Sequence, residues 1–328
     1  MDSTVANLAC ESYEGTWTTM AFAIHRATRS KTKLSLVELM GYTGYAFRLN
    51  VNEEKVDVAG PTAFDWDAYN KKALGNIGVR FVSYGTSDFT PPTPDELTLA
   101  ISKIQESIDK EQPVIAWDLF LPEFGIIYGY DDDKREFHAR DGTGKDGPIA
   151  YEKLGNGELK ELFIMTITDY FEVSKVERLK GALDIILAHA LEKEEGCPVP
   201  MKFRNGLQGY DAWVKAFEKE KVHPFGNAYT IAVLYDARRF AAKFLSDVRS
   251  EWQDENDSVV SYAGIASDHY EDVAQLLLEF RNIFPFPEGG EPNDPANRER
   301  AIGLLEKAKE SEELGIEALQ KMYAELER

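Results

Sequence analysis

The sequence predicts an α+β fold in its first half and an all-α fold in its second. Up to Tyr170, short apolar runs rich in β-branched and aromatic residues alternate with helical patterns and turn residues. From Lys175 onward the strand signals stop, and apolar residues recur only at the three-to-four spacing of a helix face. At 328 residues the chain also exceeds one typical core, so domains are expected over 1–172 and 173–328.

Thr16 is placed as the N-cap of a first helix, with Trp17, Met20, Ala21, Ile24 and Ala27 or Thr28 on its buried face, ending near Arg29. Ser35-Leu36-Val37-Glu38 has the capping-box pattern, and the helix it opens should stop before the Gly41–Gly44 turn. Residues 46–51 read as a strand and 65–74 as a helix closed by Gly75, with Trp66, Tyr69 and Ala73 inward. A strand over 79–84 precedes the clearest helix start, Thr93-Pro94-Asp95-Glu96, whose buried face is Leu97, Ile101, Ile104 and Ile108.

The stretch QPVIAWDLFLPEFGIIYGYDDDKREFHARDG is the hub of this half. It predicts strands at 114–117 and 125–128, a turn through Asp131-Asp132-Asp133-Lys134, and a third strand ending at Asp141-Gly142. Residues 142–147 read as a loop and 161–168 as a further strand. The second half contains helical patterns over 176–193, 207–219, 227–252, 259–282 and from Pro295 to the end, with linkers at 195–204 and 284–295. The last helix is charged on most faces, so Glu310, Glu312 and Glu313 are expected at a solvated surface.

Lys and Arg number 37 against 57 Asp and Glu, a net charge of −20 that opposes nucleic-acid binding through long-range repulsion. No apolar run approaches the length of a membrane span, so no membrane partner is expected. The opening MDSTVANLACESYEG has neither the basic nor the apolar region of a signal peptide, and Cys10 and Cys197 are the only cysteines. The expectation is a cytoplasmic protein without disulfides. The five histidines are too scattered for a metal site by spacing, and no cofactor is expected.

EGTWTTMAFAIHRA is similar to the nucleophile helix of papain-type enzymes, and PVIAWDLFLPEFGIIYGYDDDKREFHARDG to the strand pair of two of their relatives. These are the double-glycine (bacteriocin-processing) cysteine peptidases and the butirosin-biosynthesis acyltransferases. The spacing from Thr16 to LSLVELMGYTGYAF favours the acyltransferase branch, and the resemblance covers roughly residues 8 to 170. It implies a papain-like N-terminal domain, a helix plus a twisted antiparallel sheet, with a thiol at the helix start, a histidine opening one strand and an Asp or Asn closing the next.

Against that pattern Thr16 stands where the thiol belongs, and Glu123-Phe124-Gly125 where the histidine belongs. Asp141 matches the orienting carboxylate, or is a turn-forming Asp before Gly142. Two functional readings follow. The first is a catalytically degenerate relative, a binding or regulatory module for a small molecule or peptide. Its cleft would be walled by Gly15, Thr16, Trp17, Trp117, Glu123 and Asp141, with Glu123 favouring an amine-bearing ligand. The second is an active thiol acyltransferase or peptidase using Cys10 with His138 and Asp141; against it, Cys10 reads as a buried structural thiol, and alternation turns His138 away from the face of Phe137.

In the helical half, Tyr235 and either Arg238 or Arg239 lie on an apolar stripe and call for a carboxylate partner or an anionic ligand. Tyr210 and Trp213 read as core aromatics. A third reading makes this half a homodimerisation element.

Overall fold

The computed structural model describes residues 13–87, 89–194 and 202–327. In chain order its elements are α1 (Thr19–Thr32), α2 (Leu36–Tyr42), a 3-10 turn at Tyr45–Phe47, β1 (Asn50–Asn52), α3 (Trp66–Asn76), β2 (Val79–Gly85) and α4 (Pro94–Ile108). Next come β3 (Val114–Trp117), β4 (Phe124–Asp131), β5 (Glu136–Asp141), β6 (Asp146–Ala150) and β7 (Phe163–Tyr170). The chain then runs through α5 (Lys175–Ala190), β8 (Phe203–Asn205), α6 (Gly206–Glu218), α7 (Pro224–Glu251), α8 (Asp257–Ile283) and α9 (Pro295–Leu326). The fold is thus α+β, with an antiparallel sheet and helices first and a helical region after it.

Two compact units interleave in sequence. One gathers residues up to Leu39 with Ile77–Glu172, the other Met40–Asn76 with Val173 onward. A boundary drawn at residue 172 alone assigns residues 40–76 to the sheet; their packing places them with the helices.

The first unit is built on a six-stranded sheet ordered β2-β7-β3-β4-β5-β6, every pair antiparallel. On one face Ala100 and Ile104 of α4 meet Val114, Ala116, Ile127, Phe137, Ala139, Ile149 and Ile164 in a single apolar cluster. The start of α4 is as its sequence specifies: Thr93 accepts from the Glu96 N–H, the Glu96 carboxylate accepts from the Thr93 N–H at 2.7 Å, and Pro94 opens the helix. In the β4–β5 hairpin the Asp131 carboxylate accepts the Lys134 N–H at 3.1 Å, and Arg135 takes a left-handed φ of 56°. The register shifts between Ile127 and Gly129, which turns Tyr128 outward and keeps both Ile127 and Tyr130 with the core face.

The expected loop over 142–147 gives way at residue 146 to the edge strand β6, residues 146–150. Only Ile149 of its five residues is buried, which leaves almost no periodic signal. Pro148, lacking an N–H, is tolerated in such an outer strand. Three other boundaries move for tertiary reasons. α2 runs through Gly41, where a Cβ would collide with the Phe244 ring. Of the expected strand at 46–51, Ala46 and Phe47 belong to the buried 3-10 turn, and β1 covers only 50–52. α3 passes Gly75 to Asn76, whose side-chain amide donates to the carbonyls of Tyr42 and Arg178, and the left-handed glycine is Gly78 (φ 74°).

In the second unit, Tyr210, Trp213, Phe217, Phe280 and Phe284 fill one core with Leu305 and Ala308 of α9. Arg238 is the cation on the apolar stripe of α7. It is fully buried and forms a two-point ion pair with Glu312, at 2.9 and 2.7 Å, while also donating to the carbonyls of Ala46 and Arg48. Glu312 is therefore not at a solvated surface: it is 3% exposed and accepts the Tyr210 hydroxyl at 2.6 Å as well. Glu310 is exposed as expected. Trp213 donates to Asn227 at 2.8 Å, so both aromatics are core residues.

Candidate functional site

The hub strands bring three chain segments to one end of the sheet. β3 ends at Trp117, β4 begins at Phe124 directly across from it, and β5 ends at Asp141, opposite Gly125. The β3–β4 connection is pinned by the Asp118 N–H donating to the Glu123 carbonyl at 3.1 Å. Asp118 itself sits at φ 53° and accepts the Leu159 N–H at 2.9 Å on its carboxylate.

The first residue of α1 closes this end. The Thr19 hydroxyl donates to the Glu123 carboxylate at 2.6 Å and accepts the Phe124 N–H at 3.2 Å. The Gly142 N–H donates to the Phe124 carbonyl at 2.9 Å, and a Cβ on Gly142 would lie 2.5 Å from Thr19 Cγ2. Glycine is required there because the helix start rests on the bare backbone of residue 142.

The hydroxyl that meets Glu123 is thus Thr19, not Thr16. α1 begins two residues later than Thr16 predicts, after Thr18, and the buried Thr16 hydroxyl accepts the Thr18 N–H at 3.1 Å. Thr16, Thr18 and Thr19 are all competent caps, so local propensity does not choose among them. Gly15 and Trp17 are partly exposed at this end, Glu123 is half-buried, and Trp117 is buried against the Phe124 ring at a centroid distance of 4.7 Å.

Asp141 is fully buried and serves its own loop: one carboxylate oxygen accepts the N–H groups of Thr143 and Lys145 and the Thr143 hydroxyl, at 2.7–3.0 Å. By the strand register it shares a face with Gly125, whereas Trp117 shares one with Phe124, so Asp141 and Trp117 leave the sheet on opposite faces. His138 is exposed, across from Gly129 on the face away from Phe137, with its ring 6.3 Å from that of Tyr128. Cys10, like Cys197, lies outside the described residues.

The remaining histidines serve separate local structures. Burial holds His25 below its ordinary value against the opposing Leu34 carbonyl, His223 caps α7, and His269 contacts Ser311. His189 is buried in the second unit, where its Nε2 accepts the N–H groups of Leu49 and Gly206 and its Nδ1 faces Glu194 at 3.1 Å. Two donors on Nε2 place the proton on Nδ1. Among the described residues no three His, Cys, Asp or Glu side chains gather as a metal site, and no helix is long and apolar enough to cross a membrane.

Chemically, the helix start holds a hydroxyl against a carboxylate. A carboxylate is a poor general base for an alkyl hydroxyl, and the Phe124 N–H already occupies a lone pair of the Thr19 oxygen. The half-buried anion is suited instead to holding a cation. No protein-family model matches the chain, and no curated protein matches it either.

Proposed function

We propose that the sheet-bearing unit is a catalytically degenerate papain-like module that binds an amine-bearing small molecule or peptide at the start of α1. The observation that carries this reading is the Thr19–Glu123 pair: an aliphatic hydroxyl stands at the helix start and a carboxylate faces it. The partly exposed Gly15, Trp17 and Glu123 would contact the ligand, Glu123 by charge and Trp17 by its ring. Thr16 and Trp117, both buried, would support them from beneath.

The test is a titration with alkylamines and short peptides bearing a free N-terminus, followed by thermal shift and by NMR. A response confined to amines, weakened about tenfold or more in Glu123→Gln, is the expected result. No response, or an equal response in the variant, would refute it. The thiol-enzyme reading makes a different forecast: rapid labelling of Cys10 near neutral pH, abolished by His138→Ala, would replace the binding module with an enzyme.

A further inference from the structure

We propose that the basic end of α1, with Arg140 beside it, is a docking surface for a short acidic polypeptide segment. Between Gly15 and Val37 the chain carries Arg26, Arg29, Lys31 and Lys33 and no Asp or Glu, within a protein whose net charge is −20. Arg29, Lys31 and Lys33 are exposed and Arg26 is half-buried, with its guanidinium 4.9 Å from the Phe22 ring. None of the four forms a salt bridge among the described residues, and Arg26 Nε is buried without an acceptor. Other cations of the same unit, such as Lys103, Lys134 and Arg135, stand against carboxylates at 2.7–2.8 Å.

α1 packs against β3 and β4 of the sheet. Arg140 projects from β5 and is held by Asp146 at 2.7 Å. Burial, then the charges of Arg29 and Arg140, push the Arg26 guanidinium below its ordinary value, with Glu14 opposing. The helix dipole favours cations in the last turn of α1 and so explains Arg29 and Lys31. It does not explain Arg26, a turn earlier, or the lack of any acidic residue along the stretch.

The occupant follows from charge and length. From Arg26 to Lys33 the helix rises about 10 Å, which an extended strand of roughly three residues covers. A nucleic acid or an anionic membrane would extend well beyond the patch and meet the repulsion of the whole molecule. A few carboxylates on a short segment interact mainly within about 8 Å at physiological salt, where the patch outweighs the rest. This inference is independent of whether Glu123 takes an amine.

The experiment is fluorescence anisotropy of a labelled, acetylated hexaglutamate peptide with the full chain. Binding should weaken about tenfold or more between about 20 and about 200 mM salt. It should weaken about tenfold or more in Arg29→Glu/Lys31→Glu, whose exposed positions keep the circular dichroism of the parent while Tm falls slightly, because two anions now face the helix C-terminus. Lys134→Glu, a paired cation on the hairpin turn, should bind as the parent does. No binding at low salt, equal binding by the double variant, or an equal loss in Lys134→Glu would overturn the proposal. Tighter binding of a single-stranded oligonucleotide or of phosphatidylserine vesicles than of the peptide would overturn it too.

Discussion

Thr19 and Glu123, 104 residues apart in sequence, are joined by a 2.6 Å hydrogen bond that fastens the start of α1 to the entrance of β4. The same hydroxyl receives the buried Phe124 N–H. Thr19→Val should therefore destabilise the first unit by about 2 kcal/mol, because it removes a bond to a charged group and leaves an amide unsatisfied. Thr19→Ser should stay within about 1 kcal/mol of the parent. Urea denaturation followed by tryptophan fluorescence would measure both, and equal losses would show that the hydroxyl contributes nothing.

Gly142→Ala should cost about 1–3 kcal/mol, since its new methyl would land 2.5 Å from Thr19 Cγ2 with backbone on the other side. Adding Thr19→Ser removes that methyl and should recover part of the loss. A strictly additive double variant, read in the same denaturation assay, would place the strain elsewhere.

Arg238 and Glu312 form the most deeply buried ion pair described, with side-chain exposures of 0% and 4%. The Glu312 charge holds the Arg238 guanidinium above its ordinary value, overcoming the effect of burial. Arg238→Met should cost about 3–5 kcal/mol because it strands a buried carboxylate, and Arg238→Met/Glu312→Leu should cost less than that single change. Thermal unfolding of the three proteins decides the matter; a double variant less stable than Arg238→Met would contradict it.

His189 predicts a loss of stability in mild acid. Burial, then the charge of Arg48, lowers its folded-state value below the ordinary 6.5, although Glu194 opposes. The unfolded chain thus takes up a proton that the folded chain does not. The contribution is complete above pH 6.5 and declines as pH falls below it, by at most about 1.4 kcal/mol per pH unit. Glu194 acts at lower pH: burial raises its carboxyl, but His189 and Arg48 outweigh it and hold it below 4.5, so its stabilisation also disappears on acidification. His189→Gln, which keeps an acceptor for the Leu49 and Gly206 amides, should flatten the ΔG profile below pH 6.5. An unchanged profile would remove His189 as its source.

The elements legible in the sequence are those whose signals are local. Thr93 and Glu96 lie three residues apart and cap α4 between themselves, and Asp131 and Lys134 shape the hairpin turn in the same way. The illegible ones depend on distant partners. Glu312 is one acid among many along α9, and what buries it is Arg238, 74 residues away. Of the hydroxyls in Thr16-Trp17-Thr18-Thr19, Glu123 and Gly142 select Thr19.

By itself, then, the sequence determined the α+β and helical halves, the hairpin hub and the acidic balance of the chain, because spacing, turn chemistry and charge are properties of neighbouring residues. Only the tertiary structure decided which hydroxyl meets Glu123, which face Asp141 takes, where Glu312 is buried and that residues 40–76 pack with the helices. Those outcomes depend on burial and on hydrogen bonds between segments far apart in the chain, and a local pattern carries no information about either.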